Sequence, residues 1–115
     1  MTIATLENSF PERPYEVELT ALELTSICPL TGAPDFGQLR IRYVPAAKLL
    51  ELKSLRDYLT SFRGRKILQE EVVNEVLEAI AAAVSPLFAE VEGVFNARGG
   101  IATRARAQIG ENPLS

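Results

Sequence analysis

The spacing of apolar residues changes period twice along this chain, and that change limits the folds open to it. From Tyr15 to Leu24, Tyr15, Val17, Leu19 and Ala21 alternate with Glu16, Glu18 and Thr20, the period of a strand with one buried face. Leu39 to Val44 alternates again and stops at Pro45, which predicts a second strand. From Lys48 the spacing lengthens, with Leu49, Leu52, Leu55, Leu59 and Phe62 three and four residues apart, so a helix is expected over 48–62, ending near Gly64. A second helix is expected over 68–84, where Val72, Val73, Val76, Leu77, Ile80 and Val84 form a wide stripe before Ser85-Pro86. Residues 88–96 and 101–107 return to strand character around Asn96-Ala97-Arg98-Gly99-Gly100. The order ββααββ predicts an α+β domain, a four-stranded antiparallel sheet with both helices on one face.

A chain of 115 residues has room for one such domain, placed at 15–115, and can bury a core without disulfides or metal. Residues 1–14, with Pro11 and Pro14 in a polar context, are expected to form an extended arm that docks on the body or on a neighbour. So small a sheet leaves two outer strands with unpaired backbone groups, which an oligomer can pair. A ring-forming homo-oligomer with sites at subunit junctions is therefore expected. The net charge of −3 offers no general attraction for nucleic acid or acidic membranes. The first residues lack a basic segment followed by a long apolar one, and a cytoplasmic location without membrane association is the expectation. One cysteine and no histidine exclude an intramolecular disulfide and argue against a thiolate or zinc centre, so no metal is expected. Proton transfer near neutral pH falls to carboxylates, Cys, Lys or Tyr.

Four segments can carry chemistry. Cys28 lies in Ile27-Cys28-Pro29-Leu30-Thr31-Gly32-Ala33-Pro34-Asp35-Phe36, a loop shaped by prolines and glycine. The cysteine is either a buried filler or a nucleophile, and Asp35 either a turn residue or an acid beside it. Glu51-Leu52-Lys53-Ser54-Leu55-Arg56-Asp57-Tyr58 sets Lys53 and Arg56 three residues apart, as a phosphate clamp or as a solvated helix face. Gln69-Glu70-Glu71 opens the second helix, where carboxylates either answer the macrodipole or accept the paired N–H donors of a guanine-like base. In Arg98-Gly99-Gly100 the glycines serve a hairpin turn or the close approach of a ligand, with Arg98 as a bidentate donor.

The order and spacing of these segments resemble the NADPH-dependent 7-cyano-7-deazaguanine reductases, the QueF nitrile reductases of queuosine biosynthesis, a transfer-RNA modification pathway. The likeness spans Tyr15 to about Ala107 and rests on the Cys28–Phe36 loop, Glu51–Tyr58, Ser61-Phe62-Arg63, Gln69-Glu70 and Arg98-Gly99-Gly100. It implies the tunnelling fold (T-fold), whose ββααββ subunits form rings that stack, with a decamer expected. It implies Cys28 as the nucleophile that forms a covalent thioimide with the nitrile carbon, and Asp35 as its proton partner. It further implies Glu51, Ser54, Gln69 and Glu70 as contacts to the small-molecule deazaguanine substrate, and Lys53, Arg56, Arg98 and Gly99 as contacts to the NADPH cofactor.

Two positions depart from the family wording. Gln69 stands where the family has histidine, which leaves proton supply to Asp35. Arg56 replaces a lysine and is followed by Asp57. Two other readings remain open at this level. An archaeal branch of the fold resembles an amidinotransferase that forms archaeosine on transfer RNA, using the matching cysteine without NADPH. It would bind RNA through Arg63, Arg65, Lys66, Arg104 and Arg106. The third reading is a ring-forming purine or pterin binder without turnover.

Overall fold

A computed structural model describes residues 2–115. Its main sheet has four antiparallel strands, β2 (Val17–Ile27), β3 (Pro34–Val44), β5 (Phe88–Arg98) and β6 (Ile101–Gly110), in the order β2-β3-β5-β6. Between β3 and β5 the chain forms a short strand β4 (Lys48–Leu50) and the helices α1 (Leu52–Thr60) and α2 (Gln69–Val84). The ββααββ order, the antiparallel sheet and the paired helices agree with the sequence expectation. Helix α2 packs across β5 and β6, and α1 lies against β2. Among the described residues no helix is long and apolar enough to cross a membrane.

The core lies between sheet and helices. Leu39, Ile41 and Tyr43 of β3 and Ala89, Val91 and Phe95 of β5 point inward, against Val72, Val73, Val76 and Ile80 of α2, as the two spacings require. Ala105 and Ala107 of β6 pack on the same core. Gly93 marks a close approach of α2 to β5. A Cβ there would stand 2.7 Å from the Phe95 ring and 2.8 Å from Val73 Cγ2, so only glycine lets α2 come this near to β5.

Strand β2 runs three residues past the expected end at Leu24. The register slips between Ala21 and Leu24, a bulge that reverses the inward parity. Val17, Leu19 and Ala21 face the core before it, and Leu24 and Ser26 after it. Alternation is lost at that point in the sequence, although the strand continues.

The expected helix start at Lys48 is corrected. Lys48–Leu50 pairs antiparallel with a strand β1 (Thr5–Glu7), so the N-terminal arm docks on its own chain. Ile3 is buried in the core, and the Tyr43 hydroxyl accepts from Leu50 N at 3.0 Å. Leu49 and Leu52 are three apart by coincidence of a strand meeting a helix. The helix begins only where Glu51 caps it, its carboxylate accepting from Lys53 N at 2.6 Å and Ser54 N at 2.9 Å. Gly93→Ala should lower stability by about 1–3 kcal/mol through overpacking. Urea unfolding checks this, and an unchanged midpoint would refute the close-approach argument.

Candidate active site

The site is assembled by a backbone clamp. The loop between α1 and α2 runs beside the end of β2, with Ile27 N donating to Arg65 O at 2.9 Å and Ile67 N donating to Ile27 O at 3.0 Å. The clamp carries the chain into Leu68-Gln69-Glu70 next to Cys28. A pocket of about 190 Å³ results, lined by Cys28, Pro29, Asp35, Leu68, Gln69, Glu70, Arg98, Ile101 and Thr103.

Cys28 is half-buried and belongs to a loop closed on itself. Cys28 N donates to Ala33 O and Gly32 N to Cys28 O, both at 2.9 Å. Gly32 supports this turn with a φ of 76°. Asp35 lies on the inward face of β3 with 3% of its surface exposed, because the odd residues of that strand face the helices. Its Oδ1 accepts from Arg98 Nη1 at 2.9 Å. Arg98 comes from the far end of β5, where Gly99 and Gly100, at φ of 59° and 82°, form a two-residue hairpin loop. The second arm of the guanidinium, Nη2, donates to Thr31 Oγ1 at 2.8 Å.

These neighbours make the thiol acidic. The polar groups around it, the Thr31 hydroxyl first, then the Thr31 and Leu30 amides and the Arg98 guanidinium, lower the Cys28 pKa from 9.0 to about 7, against a smaller upward effect of burial. About half of the sulfur is then thiolate at neutral pH, the nucleophilic form. Cys28 lines the pocket and is not part of the hydrophobic core.

Five of the residues singled out in the sequence, Cys28, Asp35, Gln69, Glu70 and Arg98, meet in this pocket. Gly99 is in the adjoining turn. Glu51, Lys53, Ser54 and Arg56 do not line it. Glu51 caps α1, and the Ser54 and Lys53 amides that it accepts from hold its carboxyl below the usual range. Lys53 pairs with Asp57 at 3.5 Å on the exposed face of α1. Arg56 lines a separate groove between β2 and α1, together with Arg63, Leu19, Leu55 and Leu59. The sequence reading did not single out Thr31, whose hydroxyl, three residues from Cys28, accepts from Arg98.

A four-stranded antiparallel sheet with two helices on one face, carrying a cysteine-lined pocket beside a buried Asp–Arg pair, defines an α+β protein of the tunnelling-fold class. The model of the family described as QueF-like protein matches residues 34–113. The chain belongs to that family. It is 46% identical over 111 residues to an NADPH-dependent 7-cyano-7-deazaguanine reductase of Anaeromyxobacter sp. (strain Fw109-5), covering 96% of this chain and 91% of that protein. It is also 46% identical over 106 residues to the enzyme of the same name from Thermoanaerobacter pseudethanolicus, covering 92% and 80%. Among solved structures, the archaeosine synthase QueF-Like in the apo form superposes with a TM-score of 0.80 at 29% identity, covering 88% of this chain and 99% of that one.

The lone cysteine makes its acidity directly measurable. Labelling by iodoacetamide should follow a titration centred near pH 7, rising with pH as thiolate forms. A midpoint near 9.0, the ordinary value, would contradict this account of the loop.

Proposed function

We propose that this protein is an NADPH-dependent nitrile reductase that converts 7-cyano-7-deazaguanine to 7-aminomethyl-7-deazaguanine, with consumption of two NADPH, in the cytoplasmic supply of a transfer-RNA modification. The observation that carries the reading is the Cys28 thiol, acidic and adjacent to Asp35 in one pocket. It is supported by the relatives named above, which are called reductases of this nitrile.

The Cys28 thiolate adds to the nitrile carbon, so that a C–S bond forms as one C≡N π bond opens and the nitrogen takes a proton. Asp35, nearly excluded from water, is the group placed to pass protons to and from that nitrogen. The C–S bond breaks again after the first reduction, returning the thiolate. Gln69 and Glu70 present an amide and a carboxylate at the pocket wall, where a carboxylate can accept the paired N–H donors of the base. NADPH, when bound, would supply one hydride to each of the two reductions, a second molecule replacing the first. Its fit rests on the α1 groove: Arg56 and Arg63 stand over a floor of Leu19, Ile41, Leu55 and Leu59, and Lys53 is 74% exposed one helical turn away. Cations above an apolar surface suit a dinucleotide with phosphates.

A pocket of about 190 Å³ falls below the roughly 300–1,000 Å³ of small-molecule sites. The outer strands β2 and β6 carry unpaired edges. Both are consistent with a homo-oligomeric ring, a stacked decamer in this reading, in which a neighbour's Glu51, Ser54, Lys53 and Arg56 complete the site.

The archaeosine synthase likeness keeps a second reading in view, amidine transfer to the cyano base in transfer RNA. The basic patch it would use is divided by the fold. Arg65 forms a two-pronged pair with Glu75, while Arg104 and Arg106 lie over Glu92 at 3.5 and 3.8 Å on the sheet face away from the helices. Mixing with 7-cyano-7-deazaguanine and following NADPH absorbance decides between the readings. Cysteine-dependent oxidation of two NADPH per nitrile, lost in Cys28→Ala and reduced by roughly 10²-fold or more in Asp35→Asn, is expected. A cysteine-dependent adduct without oxidation would overturn the reductase and favour the transferase.

A further inference from the structure

We infer that Arg98 is a positioning residue for the Asp35 carboxylate, brought to it by a bulge in β5, and that it serves the nitrile end of the site rather than the phosphates of the cofactor. This inference rests on the reading of Cys28 as the nucleophile and Asp35 as its proton partner. The family resemblance implies a cofactor contact for Arg98, whereas both arms of its guanidinium are engaged beside the nucleophile.

Strand alternation alone would send Arg98 to the other face of the sheet. Ala89, Val91 and Phe95 of β5 are buried in the core against the helices, so an even-numbered residue belongs by parity with Glu90 and Glu92, on the face away from them. The pairing with β6 shifts before that parity reaches Arg98. Phe95 is opposite Thr103 and Arg98 opposite Ile101, so Asn96 and Ala97 together face Ala102. One extra residue on β5 is a bulge, which re-aims the side chains beyond it. Arg98 is thereby turned to the face on which Asp35 is buried, and Nη1 donates to Asp35 Oδ1 at 2.9 Å. Nη2 donates to Thr31 Oγ1 at 2.8 Å, an oxygen that also accepts from Ala33 N at 3.2 Å. The planar guanidinium is fixed at both arms.

The charged and titratable groups lining the pocket are Cys28 from the loop after β2, Asp35 from β3, Glu70 from α2 and Arg98 from β5. Arg98 is the one cation among them. The Asp35 side chain is 3% exposed, so moving the guanidinium to a phosphate would strand a buried carboxylate, which is strongly unfavourable. The groove lined by Arg56 and Arg63 shares no residue with this pocket, so within one chain the cations proposed for the cofactor stand elsewhere. As the C–S bond forms and one C≡N π bond opens, the Asp35 carboxyl gives its proton to the nitrogen, and the carboxylate that results is paired at once. Among the described residues no other hydrogen bond reaches that carboxylate. With Oδ1 held by Arg98, Oδ2 is the oxygen left for the exchange.

Formation of the cysteine adduct with 7-cyano-7-deazaguanine, followed by absorbance in the absence of NADPH, isolates this step. Arg98→Met should slow it by roughly 10- to 100-fold, while the KM for NADPH in turnover stays within about 2-fold of the wild type. Arg98→Lys keeps a cation beside Asp35 but lacks the fork that spans Asp35 and Thr31, and should recover part of the loss. In an Asp35→Asn background, Arg98→Met should slow adduct formation by less than about 3-fold, because the arginine acts through the carboxylate. Thermal melting verifies that each variant is folded, and the lysine variant guards against a methionine variant that is not. A wild-type rate of adduct formation in Arg98→Met, with a raised KM for NADPH, would overturn the proposal and make Arg98 a phosphate contact. Losses that multiply in full in the double variant would also overturn it. The result is separable from the reductase reading: slowed adduct formation in Arg98→Met of a protein that oxidises no NADPH would sustain Arg98 and refute the reductase. A wild type that forms no adduct would overturn both.

Discussion

The Asp35 carboxylate is buried, and a buried charge must be paired. Its partner, Arg98, comes from the same end of the sheet's central pair, since antiparallel pairing sets the start of β3, where Asp35 lies, beside the end of β5 at Arg98. Much of the site follows from that requirement. The hairpin after Arg98 must turn tightly enough to keep the guanidinium over the sheet, which places Gly99 and Gly100 at positive φ. Its second arm then reaches Thr31, and the Cys28 loop is drawn into the same charged cluster.

The other face of the sheet is organised largely by charge. Glu90 and Glu92 are each only 6% exposed although no helix covers them. Arg42 binds Glu90 at 2.9 Å, and Arg40, Arg104 and Arg106 surround Glu92. The register places Arg42 between Glu18 and Glu90, and Arg40 between Thr20 and Glu92, so opposite charges meet across the strands. The face is polar and almost neutral, and Arg104 and Arg106 are committed to a carboxylate beneath them.

How much could be read before the structure varies by element. Helix α2 was legible nearly to the residue, because a stripe from Val72 to Val84 has no strand-like interpretation. Strand β2 was legible only to its bulge, since one extra residue reverses the parity on which alternation depends. Strand β4 was hidden within a run of leucines, and its identity is set by a partner, Thr5–Glu7, more than forty residues earlier in the chain. At the site, Cys28 and Asp35 were visible together in one loop. Thr31 was in plain view there but carries no signal by itself, as its hydrogen bond joins it to an arginine distant in sequence.

The sequence by itself determined the α+β layering and the presence of a single cysteine with a carboxylate in a turn-rich loop, because periodicity and loop composition are local properties. Only the tertiary structure decided which side chains are neighbours. It joined Cys28 and Asp35 to Arg98 through the β3–β5 register, and to Gln69 and Glu70 through the Ile27 clamp. It also made Glu51 the cap of α1 and set Arg56 in another groove. Proximity of this kind depends on strand register and loop closure between distant segments, which no local pattern encodes.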